Sequence, residues 1–195
     1  LDQAELLMLA YVFWHRPADG VAPETYGASI SRFHRSLAAH PPAGFVRSAT
    51  FEAPACGWLG AEPAFEDWYV VEDFGALGVL NAAAVGRGHL SSHDAIARLA
   101  GPGTGSVYRL LEGSPELAAA RVAVWIEKPR GVEMPLFAAL LGDGMDGVHA
   151  GLWQRQLALG PAPEYCILAA QAPSGVHAAR LGRGWSATIA ERHLL

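Results

Sequence analysis

Asp67 and Tyr69 lie two residues apart in an apolar stretch, Phe65 to Val71. In a strand they share one face, while Glu66, Trp68 and Val70 share the other. A carboxylate and a phenol on one face of a buried strand can bind or deprotonate an acidic enol or phenol, with Asp67 as the proton acceptor. The alternative is an Asp paired with an arginine such as Arg47, beside a Tyr whose hydroxyl reaches the rim. His15 and Arg16 close the first apolar run, before Pro17. Polar groups at a strand end can meet a ligand, Arg16 holding an anionic oxygen; the alternative is a solvated strand end. His34 flanks the apolar stripe of a helix, turned about 100° from Phe33. It is read as facing a cavity against the sheet, or as a boundary residue.

Other chemistry-bearing residues carry less. His89 and His93 have a zinc-binding spacing only if both lie on one helix, and Ser91 or Ser92 is expected to cap a helix that starts after His89. No CxxC or HExxH accompanies them, so no metal is expected. His149 beside Gly151 and Trp153 is compatible with a haem ligand or a satisfied strand histidine. Gly101 to Gly105 looks like a phosphate loop, but it leads into a strand rather than a helix and is read as a turn. Arg87 and Arg183, each between glycines, suit helix C-termini.

Hydrophobic residues make up 51% of the 195, enough for a sizeable core. The net charge of −5, with 14 Lys and Arg in no cluster, argues against nucleic acid. The run Leu6 to Trp14 is too short to span a bilayer. Cys56 and Cys166 make no disulfide framework, which fits a reducing cytoplasm. Opening on Leu1, the chain is read as processed or trimmed, and its Ala, Gly and Arg content suggests a GC-rich bacterial genome.

The elements that must position these residues follow from periodicity. Leu6 to Trp14 does not alternate, so it reads as a strand buried on both faces. Tyr26, Ile30, Phe33 and Leu37 form one stripe of a helix from about Glu24 to His40, ended by Pro41 and Pro42. Strands are expected at 44–52 and 65–71, a helix at 75–85, a short extra helix at 92–100 and a strand at 107–111. The order is βαββαβ. The same order then recurs in compressed form. Val122 to Ile126 before Glu127, Lys128 and Pro129 echoes the first strand and its His15, Arg16 and Pro17. A helix at 132–141 and strands at 147–157, 164–168 and 185–191 follow. Ala82, Ala83 and Gly86 to Gly88 are matched by Ala178, Ala179 and Gly182 to Gly184. The units are placed at 1–115 and 116–195.

With helices on only one face, each unit's sheet must cover its other face against its counterpart. On these grounds the chain resembles the dimeric α/β-barrel superfamily in fused, single-chain form, an α+β fold of two ferredoxin-like repeats. Tyr11 to Pro17 with Glu66 to Tyr69 is also similar to a group of uncharacterised bacterial proteins. The resemblance implies a small apolar ligand held between sheet and helices. The leading expectation is therefore a small-molecule-binding protein, a cofactor-independent monooxygenase or isomerase with a phenolic substrate. Asp67, Tyr69, His15, Arg16 and His34 would do its chemistry; Trp14, Trp68, Trp125 and Arg47 would contact the ligand. No cofactor is expected. The alternatives are a non-catalytic module whose inner space is plugged by Trp14 and Trp125, and a haem binder using His149 or His34. The oligomeric state is left open. The copies differ most at the candidate residues, so one site is expected, in the N-terminal copy, with the C-terminal copy as its lid.

Overall fold

An unbroken apolar strand needs cover on both sides, and β1 (Leu9–Pro17) has it: Leu9, Ala10, Val12, Trp14 and His15 are all buried. The computed structural model describes residues 8–55, 58, 62–86, 88–143, 150–171 and 186–195. After β1 come α1 (Pro23–Ala39), β2 (Phe45–Ala53), β3 (Ala64–Val71), α2 (Phe74–Ala84), α3 (Leu90–Ala97) and β4 (Ala100–Gly113). Then follow β5 (Val122–Glu127), α4 (Met134–Asp143), β6 (Ala150–Ala158), β7 (Tyr165–Ala169), β8 (Ser186–Glu191) and β9 (His193–Leu194).

The strands form one nine-stranded antiparallel sheet in the order β8-β5-β7-β6-β4-β1-β3-β2-β9. Within it, β2-β3-β1-β4 and β6-β7-β5-β8 are the same ferredoxin-like order, joined where β4 pairs with β6. At the far edges β8 pairs with β5 and β9 with β2, and only Arg192 separates β8 from β9. The chain thus bridges the two edges and the sheet is a nearly closed barrel, with β8 and β9 as its remaining edge strands.

The barrel interior is filled. Trp14 meets Trp125 edge-on at 5.1 Å, and Trp68 packs against Trp125 and Trp153. Glu66 sits fully buried among them and accepts hydrogen bonds from Trp14 Nε1 (3.0 Å), Trp68 Nε1 (2.6 Å) and Arg192 Nη1 (2.7 Å). Arg192 also donates to the Ala120 carbonyl and lies over the Phe51 ring.

The helices pack on the outer face. α1 buries Tyr26, Ile30, Phe33 and Leu37, as its stripe predicts, together with His34. Pro23 starts it, and the Asp73 side chain caps α2 by accepting from Ala76 N. The cap of α3 is His89 rather than a serine; Ser92 Oγ turns back to the His89 carbonyl. The expected turn at Gly101 to Gly105 is instead part of β4. Its alternate glycines make room for rings of β1: a Cβ on Gly103 would lie 2.5 Å from Phe13, and one on Gly105 2.8 Å from Tyr11. The glycines answer a packing demand that local turn statistics misread. Cys56, Arg87, His149, Arg183 and the Ala178 to Gly184 match lie outside the described residues.

Candidate functional site

The outer face of β1 and β3 and the helices α1, α2 and α3 enclose a cavity of about 740 Å³. Strand pleat decides which residues reach it. Tyr11, Phe13 and His15 of β1 and Asp67 and Tyr69 of β3 project toward the helices. Phe33, Leu77, Leu80, Ile96 and Val107 make most of the rest apolar. The second half of the chain contributes Leu157 and Leu159 at one side. Among the described residues the cover comes from α1, α2 and α3, and the second half joins the same sheet where β6 pairs with β4.

At one end of this apolar space lies Asp67, 3% exposed. Its Oδ2 accepts a hydrogen bond from the Tyr69 hydroxyl at 2.9 Å and lies 3.0 Å from His15 Nε2. Its Oδ1 lies 3.4 Å from His34 Nε2. Behind the imidazoles, His15 Nδ1 meets the Tyr26 hydroxyl at 2.7 Å, and His34 Nδ1 meets Ser48 Oγ at 2.7 Å. The His34 ring stacks on Tyr69, and the His15 ring on Phe13. Burial alone would push the Asp67 carboxyl up, but the two imidazoles outweigh it and hold it well below the usual carboxylate range. Burial, and then the Asp67 charge, pushes the phenols of Tyr69, Tyr26 and Tyr11 up. At neutral pH the site is therefore a carboxylate among protonated phenols. His15 Nε2, His34 Nε2 and Asp67 Oδ1 are buried and make no hydrogen bond of good geometry, despite their ion-pair distances.

Of the residues singled out from sequence, the structure gathers His15, His34, Asp67 and Tyr69 around one carboxylate. Among the described residues Asp67 pairs with no arginine; Arg47 instead pairs with Glu116. Its depressed carboxyl makes Asp67 a weak base. Arg16 does not join the site. It lies at the end of β1, directly before Pro17, and bonds to the Glu62 carbonyl, lining a cavity of about 160 Å³ with Trp14, His15 and Pro102. Trp14, Trp68 and Trp125 occupy the barrel interior, on the other face from Asp67, and do not wall the larger cavity. Their packing is what the module alternative expects of the inner space, while the space under the helices remains a cavity. His34 sets its ring nitrogens against Ser48 and Asp67, which leaves neither directed at a planar cofactor. Among the described residues no group of His, Cys, Asp and Glu could hold a metal ion.

Tyr11, Tyr26 and Ser48 complete the network and were not singled out. Tyr11 shares strand parity with His15, and Tyr26 leads the buried stripe of α1, where a phenol hydroxyl must find a partner. Those were the available signals.

No family model and no curated protein matches this chain. Solved structures do match in fold. A candidate monooxygenase of Fusobacterium nucleatum superimposes with a TM-score of 0.66 at 10% identity, covering 98% of this chain and 94% of that one. A candidate monooxygenase of Lactobacillus acidophilus gives a TM-score of 0.55 at 10% identity, covering 96% and 95%. A candidate chlorite dismutase gives 0.56 at 13% identity, covering 97% and 95%. At these identities the likeness is one of fold: the chain is a dimeric α/β barrel of ferredoxin-like units, carried on a single polypeptide.

Proposed function

We propose that this chain binds a small, largely apolar molecule with an ionisable hydroxyl beside Asp67 and removes a proton from it without a resident cofactor. One observation carries the reading: a buried carboxylate set between two imidazoles and a phenol, at the end of an apolar cavity of about 740 Å³. A structural carboxylate is usually closed off by its partners, whereas this one lines a space that can admit a ligand.

In this reading His15 accepts the proton, directly or through the Tyr26 hydroxyl at its Nδ1. Asp67 orients the ring and stabilises the imidazolium. Tyr69 stays protonated and steadies Asp67. Tyr11, Phe13 and Phe33 hold the ligand body. The deprotonated ligand is electron-rich and has two outcomes. Reprotonation at another atom is an isomerisation. Reaction with dioxygen is a monooxygenation in which the substrate supplies the electrons, CH₂ + O₂ giving C=O + H₂O. The names of the structural neighbours support the second outcome. The same reading takes the two units as copies of one ancestral unit that meet near residue 115, and the cytoplasm as the setting.

The test is a panel of phenols and lactones, read by thermal shift, product formation and oxygen uptake. Binding raises the unfolding temperature of the native protein. At least one panel member should do so and be turned over. No shift and no turnover across the panel would overturn the reading.

A further inference from the structure

Asp67 is approached from two sides, and only one of them is the ligand cavity. On that side stand Tyr26 and His15, with contacts of 2.7 Å and 3.0 Å leading to Asp67 Oδ2. On the other side His34 lies 3.4 Å from Oδ1, and its second nitrogen is 2.7 Å from Ser48 Oγ. His34 and Ser48 line a separate cavity of about 360 Å³, walled also by Ser31, Arg35, Arg47 and Glu116. A line of hydroxyl, imidazole, carboxylate, imidazole and hydroxyl thus runs beneath α1 from one cavity to the other.

Two features set this line apart from a structural ion pair. A single carboxylate needs one cation for charge balance, yet it is flanked by two imidazoles. In addition, His15 Nε2, Asp67 Oδ1, His34 Nε2 and Thr50 Oγ1 are buried with unused hydrogen-bonding capacity, and Thr50 is the cross-strand partner of Asp67. Buried polar atoms are normally satisfied, so unsatisfied ones gathered about one carboxylate call for a cause. Groups that pass a proton on need such capacity at each junction.

We infer that His34 and Ser48 are the outer half of a proton relay that drains the ligand site into the second cavity. This rests on the reading of the site given above. A ligand filling the apolar cavity cuts its base off from bulk water, so the proton needs another way out. It enters at His15 Nδ1 from Tyr26 or from the ligand. His15 gives its Nε2 proton to the Asp67 carboxylate at Oδ2, the carboxyl group turns to present that same proton to His34 Nε2, and Asp67 returns to a carboxylate, holding the proton only in transit. His34 releases its Nδ1 proton through Ser48 Oγ to water in the outer cavity. One proton enters and one leaves, no electron moves, and both rings return by tautomer exchange. The charged and titratable groups around His34 are Asp67 and Tyr69 from β3, Arg47 from β2, Arg35 from α1 and Glu116 from the segment after β4. The Arg47–Glu116 pair leaves Arg35 as the excess charge at the outer mouth, which favours proton release. His34 acts here as a positioning and relay residue that does not touch the ligand.

The test uses 4-nitrophenol, whose phenolate is coloured, bound to the intact protein and carried through an acid-to-neutral jump in a stopped-flow cell. Ionisation of the bound probe should slow by roughly tenfold or more in His34→Gln and His34→Ala, measured at saturating probe. Ser48→Ala should slow it less. Added imidazole, entering the hole that His34→Ala opens onto the outer cavity, should restore the rate in that variant and not in His34→Gln. Wild-type rates in the His34 variants, or no rescue by imidazole, overturn the relay alone. If the His34 variants do not fold, a wild-type rate in Ser48→Ala overturns it. Failure of 4-nitrophenol to bind the wild-type protein overturns the site reading and the relay with it.

Discussion

Glu66 and Asp67 are neighbours on β3, both buried and both surrounded by aromatic rings, yet strand pleat sends them to opposite faces of one sheet. Glu66 faces the barrel interior, where Arg192 and two indoles saturate it. Arginine does not give up its proton in this setting, and indoles only donate. Asp67 faces the helices, where its partners are imidazoles and phenols and an apolar cavity opens beside it. The partners, more than burial, separate a carboxylate that locks the fold from one that can support chemistry.

The comparison can be broken in several places. Removing the guanidinium as Arg192→Met strands Glu66 in the interior without its ion partner. It should cost about 3–5 kcal/mol in denaturant unfolding, and a loss below about 1 kcal/mol would contradict the lock. Asp67→Asn keeps the shape and removes the charge. Turnover of any substrate found in the panel should fall roughly hundredfold or more, measured as kcat/KM. A depressed carboxyl adds stability that is complete above the unfolded value of about 4 and is lost as pH falls from there toward the folded value. The stability gap between wild type and Asp67→Asn should therefore be widest at neutral pH and close below about pH 4. Gly103→Ala pushes a methyl into the Phe13 ring and should cost about 1–3 kcal/mol, with the cavity floor disturbed in parallel. Gly78 lines the cavity with nothing near the position a Cβ would take. Gly78→Leu should stabilise α2 by about 0.5–1 kcal/mol while blocking the ligand, so thermal stability rises as binding disappears. Arg16→Ala should leave ligand affinity unchanged in titrations, since that side chain lies on the other side of the sheet from the ligand cavity.

Much of this contrast was written locally in the sequence. The alternation Asp67, Trp68, Tyr69 separates two faces, and the spacing of Tyr26, Ile30, Phe33 and Leu37 places His34 against the sheet. The same parity rule separates Arg16 and Trp14 from His15, and extending the site to them overlooked it. Other features have no local signature. Arg192 reaches Glu66 across 126 residues of sequence, and β9 is too short to show a period. The glycines of β4 take their meaning from Tyr11 and Phe13 on the neighbouring strand. The second cavity depends on how α1, β2 and the segment after β4 meet, a tertiary fact that no single stretch encodes. The fold was legible because two periodicities recur through the chain. The site was legible only for the residues whose face those periodicities decide.

The central claim is that a ligand occupies the Asp67 side of the sheet and leaves the barrel interior untouched. Titrating 4-nitrophenol into protein carrying ¹³C-labelled histidine and ¹⁵N-labelled tryptophan reads both faces in one sample. The account predicts that the His15 ring signals shift on binding while the indole signals of Trp14, Trp68 and Trp125 hold still. Indole shifts with His15 unmoved, or no shift on either face, would contradict it.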